Sequence, residues 1–125
     1  MYEQIETEHA PLPIGPYSQA IRANGFIFVS GQIPMDPGTG VMAPGKAGEQ
    51  TRQVMKNLAA ILEAAGSGLS RLVKTTIYLT NLDDFSEVNR VYAECLGDAR
   101  PARATVEVSR LPRDARVEIE AIALA

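Results

Sequence analysis

The sequence predicts an α+β fold in which two amphipathic helices cover one face of a mixed β-sheet. Three observations predict it. Alternating segments flank Asn24-Gly25, the strongest short-range hairpin signal. Two stretches, ending at Gly66 and near Gly97, repeat apolar residues at helical spacing. Another pair of alternating segments closes the chain. The resulting order β-β-β-α-β-α-β-β holds two strand–helix–strand crossovers, and helices gathered on one face are the economical way to cover such a sheet.

Each element has its own signal. Tyr2 to Thr7 reads as a short edge strand. Pro11, Pro13 and Pro16 follow within six residues; they remove donors and fix φ, so this stretch is an extended surface loop. Ser18 to Ala23 alternates into the Asn24-Gly25 turn, and Phe26 to Ser30 returns, giving a hairpin over 18–33. Gly31-Gln32-Ile33-Pro34 breaks the pattern, and Pro37-Gly38-Thr39-Gly40 is a turn. Between Gly48 and Ala65, Val54, Leu58, Ile61, Leu62 and Ala65 trace one helical face. Lys46, Glu49, Arg52, Lys56 and Glu63 form its solvent side, and Gly66 stands where a C′ glycine belongs. Val73 to Leu79 is a strand. Asp84 followed by Glu87 fits an acidic capping box, and Phe85, Val88, Tyr92 and Cys95 continue as a second helix. Ala102 to Ser109 alternates, Leu111-Pro112-Arg113-Asp114 turns, and Arg116 to Leu124 returns as its partner.

Composition excludes several function classes. The 125 residues make one domain, 1–125, with 46% hydrophobic and 22% charged residues, the balance of a globular protein. Twelve basic against fifteen acidic residues give a net charge of −3, and there is no tryptophan; nucleic acid is therefore disfavoured as a partner. One cysteine, Cys95, cannot form an internal disulfide, and with the single His9 it does not make a zinc site. No apolar run is long enough for a membrane span. The N-terminus lacks the basic and apolar regions of a secretory leader. The expectation is a cytoplasmic protein that needs no metal and no cofactor. Lys74 reads as a surface lysine rather than a Schiff-base nucleophile. Cys95, on the apolar side of the second helix, reads as a small buried hydrophobe.

The last two strands raise a question of burial. Ala104, Val106 and Val108 alternate with Arg103, Thr105, Glu107 and Ser109; Val117, Ile119, Ala121 and Ala123 alternate with Glu118, Glu120, Ile122 and Leu124. The small and branched sets suit packing beneath the helices. The second face then mixes Arg103, Thr105, Glu118, Glu120, Ile122 and Leu124. Either this face is solvated, as antiparallel faces often are, or it is buried against other subunits with a pocket at its charged end.

The motifs Pro101-Ala102-Arg103-Ala104-Thr105-Val106-Glu107-Val108, Leu111-Pro112 and Val117-Glu118-Ile119-Glu120 resemble the C-terminal signature of the RidA/YjgF/YER057c/UK114 family. Ile14-Gly15-Pro16-Tyr17-Ser18-Gln19, Val29-Ser30-Gly31-Gln32-Ile33-Pro34, Val73-Lys74-Thr75-Thr76 and Asp84-Phe85 with Asn89 match it in order, so the likeness spans nearly the whole chain. The resemblance implies a chorismate-mutase-like fold assembled as a homotrimer, with sheets forming an inner barrel and sites in clefts between subunits. It further implies hydrolysis of reactive enamines and imines of the 2-aminoacrylate/2-iminopropanoate type to a 2-oxo acid and ammonia.

Such a substrate carries a carboxylate beside a C=N carbon. Arg103 fits the carboxylate, because a guanidinium is a rigid fork matched to it; the alternative is a salt bridge to Glu118 or Glu120. Glu118 is the acid/base candidate, since hydrolysis needs a water activated and a proton delivered to nitrogen, and burial would raise its pKa. Glu120 shares its parity, so choosing Glu118 rests on the motif. The resemblance also places Tyr17, Ser30, Gly31, Asn89 and Thr105 at the substrate site. Many close relatives have cysteine where Thr105 stands; threonine excludes thiol chemistry there and leaves the substrate range open. Two other functions compete with the deaminase: a non-catalytic binder of small 2-oxo acids using Arg103, and, ranked lowest, an endoribonuclease or translation inhibitor.

Overall fold

The computed structural model describes residues 1–125. Its strands are β1 (Glu3–Ile5), β2 (Ala20–Ala23), β3 (Phe26–Gln32), β4 (Leu72–Leu79), β5 (Ala102–Glu107) and β6 (Val117–Leu124); its helices are α1 (Ala47–Ala64) and α2 (Phe85–Leu96). The strands form one mixed sheet in the order β1-β2-β3-β6-β4-β5. All neighbours are antiparallel except β4 and β5.

The β2–β3 hairpin forms as its turn requires. Asn24 has φ 52° and Gly25 φ 84°, the left-handed pair of a type I′ turn whose twist matches the strands. Gly66, with φ 77°, ends α1 as expected. Both helices lie on one face. Val54, Leu58, Ile61 and Leu62 of α1, with Val88, Tyr92 and Leu96 of α2, bury against Ile27 and Val29, Ile77 and Leu79, and the Val117, Ile119, Ala121 and Ala123 row of β6. Each fully buried Leu, Ile or Val contributes about 1.5–3 kcal/mol, so this layer is where the fold's cohesion resides. The opposite face carries no layer. Phe28 and Leu124 on it are 43% and 42% exposed.

The structure corrects four expectations. The last two strands do not pair with each other. β6 is inserted between β3 and β4, while β5 lies parallel to β4 at the sheet edge. The physical reason is burial: β6 offers four buried side chains on one face, whereas no residue of β5 is fully buried. The parity of β5 is also the reverse of that expected. Parallel pairing sets Arg103 beside Thr75 and Thr105 beside Ile77, and Thr75 and Ile77 are buried under the helices. Arg103 and Thr105 therefore stand on the helix side, with Ala104 and Val106 on the open face.

The acidic capping box at Asp84 does not form. Asn81 caps the short turn 82–84 instead, its side chain accepting from Asp83 N–H at 2.9 Å, while Glu87 reaches across to accept from Gly48 N–H at the start of α1, 2.6 Å away. Last, the apolar stripe of α2 is rotated towards Val88, Val91, Tyr92 and Leu96. This leaves Cys95 half-buried and Phe85 exposed, because α2 packs towards both α1 and the edge strand.

Candidate functional site

The seven residues singled out in the sequence fall into two clusters. The first sits where β3 leaves the sheet. Val29 pairs with Ala121 and Gln32 with Ile119, so Ser30 and Gly31 together stand opposite Glu120 alone. This is a β-bulge, a device that bends a strand and re-aims its side chains. Here it brings backbone against a carboxyl group. A Cβ on Gly31 would collide with the Glu118 carboxylate and come within 2.9 Å of its Cδ; only glycine leaves that space.

Ser30 is anchored beside it, its hydroxyl donating to Ser18 carbonyl at 2.6 Å and its N–H to Gln19 carbonyl at 2.9 Å. The proline-rich loop carrying Tyr17 is fastened by Gln19, a fully buried amide. Its Nε2 donates to the carbonyls of Thr7 at 3.0 Å and Pro11 at 2.9 Å, and its Oε1 accepts from Thr7 N–H at 2.7 Å. Tyr17 itself is 53% exposed, and it shares a small pocket with Gly31, Leu12 and Ile14.

Burial, and secondarily the nearby Glu120 carboxylate, hold the Glu118 carboxyl above the usual carboxylate range. Its neighbours on the open face define its surroundings. Tyr78 pairs with Glu118 across β4 and β6, and its hydroxyl donates to Glu120 Oε1 at 2.6 Å. That bond, followed by burial, raises the phenol of Tyr78. Glu118 is thus the carboxyl group of this face inclined to hold a proton, with Glu120 kept as a hydrogen-bond acceptor.

The second cluster is at the β5 edge of the sheet and on the other face. Arg103 projects from β5 over α2, where its Nη1 donates to Asn89 Oδ1 at 2.6 Å. The guanidinium carbon lies 5.5 Å from the ring centre of Phe85 and 5.4 Å from that of Tyr92, within the range of cation–π attraction. Tyr92 is held in turn by a buried hydroxyl pair with Thr75 Oγ1, 2.6 Å apart. No carboxylate lies within salt-bridge reach of Arg103, so the alternative reading, an ion pair with Glu118 or Glu120, is not realised within the chain. The Thr105 hydroxyl is buried and has no hydrogen-bond partner. A cavity of about 390 Å³ opens beside Arg103, Asn89 and Tyr92.

The sequence analysis assigned these seven residues to one site in a cleft between subunits; within a single chain they form two separate clusters. Tyr17, Ser30, Gly31 and Glu118 come together on one side, and Arg103, Asn89 and Thr105 on the other; β4 and the thickness of the sheet lie between. The reading also missed Phe85 and Tyr92 as the bed of Arg103, Gln19 as the anchor of the loop, and the Tyr78–Glu120 bond. The parallel β4–β5 register would have revealed the first of these. No local pattern announces the other two.

Fold and clusters together define an α+β protein with a guanidinium–amide centre at one sheet edge and a carboxyl–hydroxyl centre on its uncovered face. The chain belongs to the RidA/YjgF/YER057c/UK114 family: residues 7–125 match the family described as Endoribonuclease L-PSP. It is 58% identical over 123 residues to a RutC family protein of Pyrococcus horikoshii, covering 98% of each chain. It is 47% identical over 120 residues to the 2-iminobutanoate/2-iminopropanoate deaminase of Mus musculus, covering 96% of this chain and 89% of that one. Among solved structures, the Rid-family protein YyfA of Yersinia pestis superposes with a TM-score of 0.97 at 50% identity over the whole of both chains. His, Cys, Asp and Glu side chains form no group of three or more able to hold a metal, and no helix is long and apolar enough to cross a membrane.

Proposed function

We propose that this protein hydrolyses reactive 2-enamino and 2-imino carboxylic acids, of the 2-aminoacrylate/2-iminopropanoate type, to 2-oxo acids and ammonia. The observation that carries this reading is Arg103. A guanidinium fixed by an amide and two ring faces, yet without a carboxylate of its own, is a receptor for a carboxylate. The 47% identity to a mouse protein named for this activity supports it.

The chemistry needs little more. The substrate carboxylate docks on Arg103, which places the adjacent C=N carbon before Glu118 of a neighbouring copy. Glu118 in its protonated form gives a proton to the imine nitrogen, and a water oxygen adds to C2. The carboxylate so formed takes a proton from the added water, leaving a carbinolamine. A proton then passes to the amino nitrogen, the C–N bond breaks, and the C2 hydroxyl becomes the carbonyl of the 2-oxo acid. One water enters, one ammonia leaves, and nothing is oxidised or reduced. Ser30 and the Gly31 backbone orient the water, Tyr17 walls the pocket, and Asn89 and Thr105 border the carboxylate.

Because Arg103 and Glu118 face opposite ways within one chain, this mechanism needs two copies, each contributing one cluster, and we propose the homotrimer as the working unit. The apolar open face, with Phe28 and Leu124 at its surface, suits burial in such an assembly. A nuclease reading fits less well: the chain has a net charge of −3 and no tryptophan, so it lacks both the phosphate-binding field and a principal stacking residue.

The test is pyruvate release when a pyridoxal-phosphate-dependent dehydratase supplies 2-aminoacrylate. The wild type should accelerate it and Arg103→Ala should not. No acceleration by the wild type, or equal acceleration by the variant, overturns the proposal. Light scattering should give about 40 kDa, three times the 13.5 kDa chain; a monomer would remove the shared site.

A further inference from the structure

The cavity beside Arg103 has a second cation. Asn89, Tyr92, Leu96, Arg100, Pro101 and Arg103 line it, and none of these is acidic. Arg100 is fixed rather than free: its Nη1 donates to the carbonyls of Gly97 at 2.8 Å and Ala99 at 2.7 Å, just past the C-terminus of α2. Those bonds use one nitrogen of the fork and leave Nη2 and Nε available. Like Arg103, it has no carboxylate within salt-bridge reach.

Arg22, Arg52, Arg90 and Arg110 each hold a carboxylate; Arg100 and Arg103 hold none, and both line the same cavity. They stand three positions apart in the chain, which sets their Cα atoms at most about 11 Å apart. Two long side chains rooted that close can grip the two ends of a four- or five-carbon diacid. Two like charges held beside one cavity repel each other, and a dianion relieves that repulsion as a monoanion cannot.

We propose that the preferred substrate carries a second carboxylate: a four- or five-carbon 2-imino dicarboxylic acid, its C1 carboxylate on Arg103 and its distal carboxylate on Arg100. This assignment rests on the deaminase reading and narrows it. Dehydration of hydroxy amino acids yields the monocarboxylic imines; the dicarboxylic ones arise when the C–N bond of an acidic amino acid is oxidised. The chemistry at C2 is the hydrolysis already described.

The test compares kcat/KM for the imine of an acidic amino acid, generated by an amino-acid oxidase, with that for 2-iminopropanoate. In parallel, calorimetry compares binding of a 2-oxo dicarboxylate with that of pyruvate. The wild type should prefer the diacid about tenfold or more, the effect of one further charge-assisted contact. Arg100→Met should abolish most of that preference. Arg100→Gln, which removes the charge but keeps a side-chain amide donor, should do the same. A wild type without preference in turnover or binding, or a preference that survives both variants, overturns the proposal. If neither imine is hydrolysed but the oxo diacid still binds tenfold more tightly through Arg100, the deaminase reading fails and the dianion site stands.

Discussion

Replacing Gly31 by alanine tests whether the backbone of the β3 bulge positions the carboxyl group of Glu118. The change adds one methyl group at an exposed position whose backbone φ is not positive, so alanine brings no conformational strain. The methyl would overlap the Glu118 carboxylate and lie 2.9 Å from its Cδ and 3.2 Å from its Cγ. Carbon atoms in ordinary contact sit about 3.5–4.0 Å apart, so the carboxyl must withdraw by about 1 Å. The atoms it meets are the far end of one flexible, half-buried side chain rather than backbone, which keeps the folding cost within about 0.5 kcal/mol. A reacting group misplaced by about 1 Å loses about a hundredfold in rate, or about 2.7 kcal/mol of barrier. Steady-state kinetics on 2-iminopropanoate should therefore show kcat down about a hundredfold. KM should change little, since the substrate carboxylate is held by Arg103, and urea unfolding should be superimposable on that of the wild type. Wild-type kcat in Gly31→Ala would refute the role of Glu118. An equal loss of kcat and of folding stability would refute the steric argument.

Three further outcomes follow from the geometry. Glu118 is raised by burial and by Glu120, so its protonated form favours the folded state. That contribution is complete below the unfolded carboxyl pKa of about 4.3 and is lost as pH rises through the higher folded value. Glu118→Gln, neutral throughout, should match the wild type in thermal melts at pH 4 and gain on it as pH rises; a pH-independent difference would contradict the shift. Tyr92→Phe leaves the buried Thr75 hydroxyl unpaired and should cost about 1–3 kcal/mol in urea unfolding. Thr75→Val with Tyr92→Phe should recover part of that, and strict additivity would rule out the bond as a source of stability. Arg113, at φ 58°, holds a left-handed conformation that costs an L-residue about 1–2 kcal/mol, and Arg113→Gly should raise unfolding stability by about 0.5–1 kcal/mol net of glycine's own entropy. An unchanged or lower denaturation midpoint would count against strain there.

Much of the candidate site was readable as residues and little of it as geometry. Ser30, Gly31 and Glu118 assemble because the β-bulge and the β3–β6 register bring them together, and the loop fastened by Gln19 sets Tyr17 beside Gly31. The sequence suggested a break at Gly31 but not which strand would lie beside it. Arg103 was read as the carboxylate-binding cation, with a salt bridge to Glu118 or Glu120 as the alternative, and it was assigned to the wrong face. Alternation shows that Arg103 and Val106 point in opposite directions. It does not show which direction is inward, and the exposed β5 lacks the hydrophobic contrast that would settle this. The bed of Phe85 and Tyr92 depends on that same register.

What the sequence determined by itself is everything that local sterics and periodicity control. The Asn24-Gly25 turn closes a hairpin because two residues there accept positive φ. α1 ends at Gly66 for the same conformational reason, and the apolar stripes commit both helices to one layer. What only the tertiary structure decided is the path of the chain through the sheet: β6 entering between β3 and β4, β5 going to the edge in parallel. Pairing between distant strands is chosen by the total surface the sheet and helices bury together, a sum over the whole molecule that no window of sequence contains. That choice turned one presumed pocket face into two, with Arg103 on the helix side and Glu118 on the open side, and it is why the proposed chemistry belongs to an assembly of chains.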